Sequence, residues 1–443
     1  LDAEFRSQQR MSSTNGHSSN GNGSSPPSLA HDRGDSAGAR WRELLSVVLE
    51  SNEFQRRRLA GISESPALED LPLLTKRELI EDQAANPPFG TNLTYPLSHY
   101  TRVHLTSGTT GSPLRVLDTG EDWAWWQEIF ARTLSIAGIR PGDRVALAFS
   151  FGPHVQYWAT HEGLQELGAM AIPLGGMTST QRLRTIADVE ATAVACTPTY
   201  ALRLLEVAVE ERMESALDSV GKVICTGEPG ASLESVRSRI EDGFGARCVE
   251  HAGLTEVGPF GYPCPEGGGL HLFEDEFHCE ILDSELMPSK VGKRGELVMT
   301  PLRRTGFPVI RYRTGDVVLN TDRHCPGGHP DRWLPGGIVG RTDDMVVIRG
   351  MNVFPSSIEE TVRQSGAGEF RLTFYSDPGG MDEIKLEVEL GDGGDARRLQ
   401  DTMRQQLGLR VRIVPVGPGI LPRSEGGKTR RVVDERTRTW TGS

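Results

Sequence analysis

The sequence predicts an α/β protein in two parts. One is a large N-terminal domain of layered helices and sheets with a β-rich subdomain, and the other is a small α+β domain at the C-terminal end. Three observations carry this reading. The chain has 443 residues, long enough for two or three packed cores. From about 100 to 340, short apolar runs alternate with helical periodicity, as buried strands covered by helices do. After 280 the strands crowd together, and the last stretch has the size of a small domain of roughly 100 residues.

The elements follow in order. Residues 1–10 precede the first Met and read as a cloning scar, and 12–38 are Ser, Asn, Gly and Pro with almost nothing apolar. Segment 1–38 is therefore expected to be a disordered tail, with folded structure starting at Ala39. Trp41, Leu44, Leu45, Val48 and Leu49 recur at helical spacing. Asp70-Leu71-Pro72 breaks that pattern, and Thr75 with Glu78 opens a second helix as a capping box. Residues 145–149, 193–196 and 222–225 read as buried strands, with covering helices at 183–187 and 201–213. In the second helix Leu202, Leu205, Val209 and Met213 are expected on the buried face. Strands are expected at 296–299, 317–319 and 345–348, and strand and helix signals recur at 371–375, 384–390, 396–407 and 410–416. The expected domains are 39–342 and 343–443.

Composition excludes several roles. Sixty acidic against 48 basic side chains leave a net charge of -12, which disfavours nucleic acids and anionic membranes as partners. No run approaches the roughly 20 apolar residues of a membrane helix. Six cysteines without a CxxC pair, and no signal peptide before the folded part, predict reduced thiols in the cytoplasm. Glycine is in excess, with 51 residues, so loops where backbone approaches a ligand are expected.

The sharpest such loop is Thr106-Ser107-Gly108-Thr109-Thr110-Gly111, after a short strand at 102–105. Its N–H and O–H donors suit phosphate oxygens, and a polar surface turn is the bland alternative. It lacks the Gly-Lys-Ser/Thr of a Walker loop. Gly227-Glu228-Pro229 follows a strand end, where α/β sheets bind ligands. His251-Ala252-Gly253-Leu254-Thr255-Glu256 follows another and offers a hydroxyl to phosphate and a carboxylate to Mg²⁺. Asp316, in Tyr312-Arg313-Thr314-Gly315-Asp316, suits ribose hydroxyls. Gly340-Arg341-Thr342-Asp343-Asp344, Arg349-Gly350-Met351 and Lys428 complete the series.

In this order, and with Ile172-Pro173-Leu174-Gly175-Gly176-Met177-Thr178, Cys196-Thr197-Pro198-Thr199-Tyr200 and Leu421-Pro422-Arg423-Ser424-Glu425-Gly426-Gly427-Lys428, the chain resembles the adenylate-forming superfamily, in its phenylacetate-CoA ligase branch. The opening Asp70-Leu71-Pro72-Leu73-Leu74-Thr75-Lys76 matches that branch as well, and the resemblance runs over roughly 41–435. It implies a large adenylate-forming domain, a small mobile C-terminal domain, and a two-step reaction. A carboxylate attacks the α-phosphorus of ATP, and a thiol, usually that of CoA, then takes the acyl group. Lys428 matches the lysine that bridges carboxylate and α-phosphate; a solvated basic run with Arg430 and Arg431 is its bland alternative. Arg341 and Asp316 match the phosphate and ribose ligands, with a surface ion pair as the alternative, and Glu256 matches the Mg²⁺-side carboxylate. Asp343 matches the hinge about which the small domain turns, withdrawing Lys428 and bringing Arg349 and Gly350 toward the thiol side. A homodimer is implied as well.

Three departures stand out. Ser112 replaces a common lysine, with Arg115 as the nearby substitute; Ala252 stands where the family has an adenine-stacking aromatic; and the lysine loop carries an extra glycine, Gly426-Gly427. Some members of the branch hold a structural Zn²⁺. Cys264, His271 and Cys325 match three ligands, and Gly327 stands at the fourth position. Either His329 completes the set or the site is a metal-free remnant. Carried over from the family, the acyl pocket comprises Phe151, His154, Trp158, Gly175, Gly176, His251 and Gly253, although each histidine has an ordinary packing role as its alternative. Two aromatic side chains beside flat glycine backbone predict an aryl acid, either benzoate-type or related. Two rival readings stay open. Transfer could go to a carrier protein or an amine, or the chain could be a catalytically silent nucleotide-binding protein on the same fold.

Overall fold

The structure, a computed structural model, describes residues 33–62, 66–106, 113–149, 151–228, 230–342, 346–348, 351–353, 355–377, 381–391, 394–407, 410–423 and 431–436. Helix α1 (Arg33–Ser51) starts ahead of the expected Ala39. Its Leu44, Leu45 and Val48 pack on Leu71 and Ile310. A short α2 (Glu53–Arg58) follows. Helix α3 (Lys76–Ala85) opens on the Thr75/Glu78 capping box. The hairpin β1 (Tyr100–Leu105) and β2 (Arg115–Thr119) leads into α4 (Gly120–Ile136), which carries Trp123, Trp125 and Trp126 into the largest core cluster.

Next come β3 (Arg144–Leu147), α5 (Val155–Leu167), β4 (Met170–Pro173), α6 (Ser179–Asp188), β5 (Ala193–Cys196), α7 (Pro198–Glu210), β6 (Lys222–Cys225), α8 (Glu234–Phe244) and β7 (Arg247–Glu250). The five strands form one parallel sheet in the order β4-β3-β5-β6-β7. The order reverses between β3 and β5, which opens a crevice beyond their carboxyl ends. Helix α7 corrects the expected buried face. Val209 is 63% exposed, and the core stripe is Ala201, Leu204, Val207 and Ala208. Pro198 at the first turn starts the helix earlier than expected. Leu202 of the expected face is buried as well, and the two small alanines are what a search for large apolar residues misses.

The β-rich part follows: β8 (Ala252–Leu254), β9 (Gly258–Pro263), β10 (Gly269–Leu272), β11 (Phe277–Leu282), β12 (Arg294–Pro301), β13 (Tyr312–Leu319), β14 (Trp333–Pro335) and β15 (Gly340–Arg341). They make two antiparallel sheets, β14-β10-β9-β8 and β11-β12-β13-β15. A further cluster of buried side chains lies in the C-terminal stretch. It is built by β16 (Val346–Ile348), β17 (Met351–Val353), α9 (Pro355–Gln364), β18 (Phe370–Ser376), β19 (Asp382–Glu389), α10 (Ala396–Leu407), β20 (Val411–Val416) and β21 (Val432–Asp434). Here β19 pairs with β18 and β20, and β21 lies parallel to β18. Among the described residues, no helix is long and apolar enough to cross a membrane.

Candidate active site

Most of the candidate residues leave the same edge of the parallel sheet. Phe151 follows β3, Gly175 and Gly176 follow β4, Gly227 and Glu228 follow β6, and His251 follows β7. Short parallel strands point their carboxyl ends one way, so loops far apart in sequence converge. Gln156 ties two of these loops together. Its Nε2 donates to the Gly253 carbonyl at 3.1 Å, and a Cβ at Gly227 would lie 3.8 Å from its Oε1. Glu228 Oε1 accepts from the Thr199 backbone N–H at 2.9 Å, at the first turn of α7. The glycine loop is closed at its base, where the Thr106 Oγ1 accepts from the Leu114 N–H at 3.1 Å. Ser107, Gly108, Thr109, Thr110, Gly111, Pro229, Asp343, Arg349, Gly350 and Lys428 lie outside the described residues.

One group is ionic. The register of β13 and β15 sets Asp316 opposite Arg341, and Arg341 Nη1 donates to Asp316 Oδ1 at 2.7 Å. Gly315 has φ +76°, a strained backbone for other residues, and a Cβ there would come within 2.9 Å of Arg341 Nη2, so glycine is favoured at this point of β13. Glu256 is buried, and its Oε1 meets Lys76 Nζ at 3.1 Å and accepts from the Tyr312 hydroxyl at 3.2 Å. Burial and the Glu256 charge push the Tyr312 phenol well above its ordinary range, so it stays a donor. Beneath lies a fully buried pair. Arg304 Nη2 donates to Asp118 Oδ1 at 2.6 Å, while Nη1 donates to the carbonyls of Thr255 (2.8 Å) and Glu256 (2.9 Å). Arg304 thereby fixes the backbone that presents Glu256.

A second group is aromatic. Phe151 meets Trp158 edge-on at 5.0 Å and His161 at 6.0 Å. A Cβ at Gly175 would lie 3.4 Å from Phe151, which brings bare backbone against the ring. Trp158 is 38% exposed, and its Nε1 donates to the Gly152 carbonyl at 2.9 Å. His154 is exposed and 6.2 Å from Tyr157. His251 is instead buried edge-on against Phe130 at 5.2 Å, with neither ring nitrogen hydrogen-bonded. Burial lowers its pKa to about 4. Ala252 faces the core, where a Cβ at the opposing Gly261 would come within 3.0 Å of its methyl group. Arg115 is exposed, with its backbone held by the Gln83 side chain.

The sulfur-bearing group is separate. The ligand atoms of Cys264, His271 and Cys325 lie within 4.8 Å of one another, and all three residues are buried. The His271 Nδ1 lies 3.0 Å from the Asp331 carbonyl, and its Nε2 is buried without a hydrogen bond. The His329 ring is 5.2 Å from that of His271. A cavity of about 240 Å³ adjoins the group, with Ser232, Arg237, Glu250 and Cys264 in its wall. Burial pushes the Glu250 carboxyl up to about 7, against the opposing Ser232 hydrogen bonds.

Sequence reading missed Lys76, Asp118, Arg304 and Glu250 as site residues. Lys76 and Tyr312 stood inside quoted motifs. Arg304 carried no local signal, because its partner Asp118 is 186 residues away.

Comparison with known proteins shows what the chain as a whole is similar to. Residues 350–436 match the AMP-binding enzyme C-terminal domain. The phenylacetate-coenzyme A ligase of Thermus thermophilus is 32% identical over 431 residues, covering 90% of this chain and 95% of that protein. A 2-hydroxyisobutyryl-CoA ligase in its postadenylation state, with R3-HIB-AMP bound, superposes with a TM-score of 0.84 at 31% identity, covering 93% and 94% of the two chains. In its thioesterification state, with 2-HIB-AMP and CoA, the TM-score is 0.68 at 32% identity, covering 93% and 91%.

Proposed function

The chain belongs to the phenylacetate-CoA ligase family of adenylate-forming enzymes, AMP-forming acid–thiol ligases that use ATP and CoA, and from that premise we propose that its acid is an aryl carboxylate, benzoate-type or related. The observation that carries this is the Phe151–Trp158 pair set against the Gly175 backbone at the crevice. Edge and face contacts of this kind suit a flat ring.

The first half-reaction joins two anions. A carboxylate oxygen bonds to the α-phosphorus, the bond to pyrophosphate breaks, and an acyl-adenylate forms. Lys428 offsets the charge between the carboxylate and the α-phosphate. Asp316 accepts from the ribose hydroxyls, and Arg341, already beside it, is placed to meet phosphate. Glu256, buried and anionic, is the residue that would hold Mg²⁺, and the ion would supply further charge neutralisation at the leaving phosphates. Lys76, on the same carboxylate, adds a cation beside it. In the second half-reaction the CoA sulfur bonds to the acyl carbon, the thiol proton is lost, and AMP leaves. Asp343 acts as the hinge between the two steps, with Arg349 and Gly350 on the thiol side.

The three-ligand set supports a structural Zn²⁺ held by Cys264, His271 and Cys325. Two thiols and an orphaned imidazole nitrogen are the soft donors zinc takes, and His329 is the nearest fourth. Metal analysis of purified protein should give one zinc per chain, lost in Cys325→Ser; metal-free wild type refutes this.

The test of function is pyrophosphate exchange across a panel of acids, followed by thioester detection with CoA. Aryl acids should lead. Stronger turnover of long aliphatic acids would defeat the aromatic reading, and adenylation without a CoA thioester would point to a carrier protein or an amine.

A further inference from the structure

Helix α7 has a second face. Thr199 and Glu206 are seven residues apart, two helical turns, and so lie on the same side. Both meet an arginine from the C-terminal stretch. Arg431 Nη1 donates to Thr199 Oγ1 at 2.9 Å, and Arg423 Nε donates to Glu206 Oε2 at 2.9 Å. Each guanidinium is gripped on its other edge from behind. Arg431 Nη2 donates to Glu369 Oε2 at 3.0 Å and its carbon sits 5.4 Å from the Phe370 ring centre. Arg423 Nη2 donates to Glu389 Oε2 at 2.7 Å. A planar fork held at one edge is aimed by that hold, and little freedom remains to be lost when the other edge docks.

Two further facts make these contacts more than packing. In the sequence the arginines flank residues 424–430, which include Lys428. Thr199 also gives its backbone N–H to Glu228 of the loop after β6. One residue therefore touches both the nucleotide-side loop and the C-terminal part. The whole chain superposes better on the postadenylation arrangement of the 2-hydroxyisobutyryl-CoA ligase than on its thioesterification arrangement, at nearly equal identity.

We propose that Arg423 and Arg431 are positioning residues, a two-point clasp on α7 that holds the small domain in the arrangement of the adenylation half-reaction and opens for the thiol half-reaction. This rests on the function proposed above. The Arg431 contact is buried, with 9% of that side chain exposed, whereas Arg423 and Glu206 are partly exposed at 21% and 34%. The Thr199 end is therefore the stronger of the two.

The test removes the α7 half; Glu206 also pairs with Arg203, which keeps Glu210 as its other partner. Thr199→Val with Glu206→Ala leaves Arg431 on Glu369 and Arg423 on Glu389. Pyrophosphate exchange should fall about tenfold, while thioester formation from supplied acyl-adenylate and CoA holds or rises. Small-angle scattering of the ligand-free full chain should show a more extended average. Equal loss in both half-reactions, or an unchanged scattering profile, overturns the clasp. Should wild-type protein adenylate no acid at all, the functional reading fails, and the scattering comparison still decides the clasp.

Discussion

The ionic and aromatic groups of the candidate site are built on opposite plans. On the ionic side every named carboxylate is paired before a nucleotide arrives: Asp118 with Arg304, Glu256 with Lys76 and Tyr312, Asp316 with Arg341. On the aromatic side Phe151, Trp158 and His154 are partly or fully exposed and held by few directed bonds. Under the proposed function the ionic group meets ATP and the aromatic group meets the acid, which accounts for the difference. ATP is the same in every turnover, so fixed dipoles and charges gain from being set in advance. The acid varies between enzymes, and an aromatic surface with glycine backbone changes shape by single substitutions at small cost to the core.

The comparison can be broken most sharply through charge. Lys428→Ala should lower adenylation by about a thousandfold while ATP binding, followed by calorimetry, stays close to wild type. Unchanged exchange would remove Lys428 from its role. Arg304→Met should cost about 3–5 kcal/mol of stability in urea unfolding, because Asp118 is left buried and unpaired. Adding Asp118→Leu should restore much of that loss. The aromatic group should respond more mildly and in selectivity. Trp158→Ala and Phe151→Ala should each lower kcat/KM for aryl acids by about 1–2 kcal/mol in barrier, with short aliphatic acids little affected. Equal losses for both classes would make the pair structural only.

The remaining effects are in pH. Burial, with the Arg304 and Arg102 charges, lowers the His104 pKa to about 4, below the 6.5 of an unfolded histidine. The unfolded chain binds the extra proton between these values, so this contribution is full above pH 6.5 and lost as pH falls toward 4. His104→Phe should flatten that acid limb in melting temperature. Glu250 runs the other way. With its carboxyl raised from 4.5 to about 7, its contribution is present below pH 4.5 and lost as pH rises through 7, and Glu250→Gln should remove that slope.

Legibility differed by range. The Thr75/Glu78 box is a local signal and stands as read. The strands at 193–196 and 222–225 match their elements, because a fully buried parallel strand leaves a continuous apolar run. On α7 Leu202 is buried as read, Val209 was misread, and Ala201 and Ala208 were missed because small residues carry little weight in a search for large apolar ones. The pairing of Arg304 with Asp118, and of Lys76 with Glu256, spans most of the large domain and leaves no periodic trace.

The residues alone were enough for the α/β class, the family resemblance, and the motif order in which Asp316, Arg341 and Glu256 appear. Those depend on local spacing and residue type, which a linear chain records. Only tertiary structure decided that Arg304 supports Glu256 from behind, that His251 is buried against Phe130, and that Arg423 and Arg431 reach across to α7. These are contacts between residues brought together by sheet topology and domain packing, and their energies depend on burial, which exists only once the chain has folded.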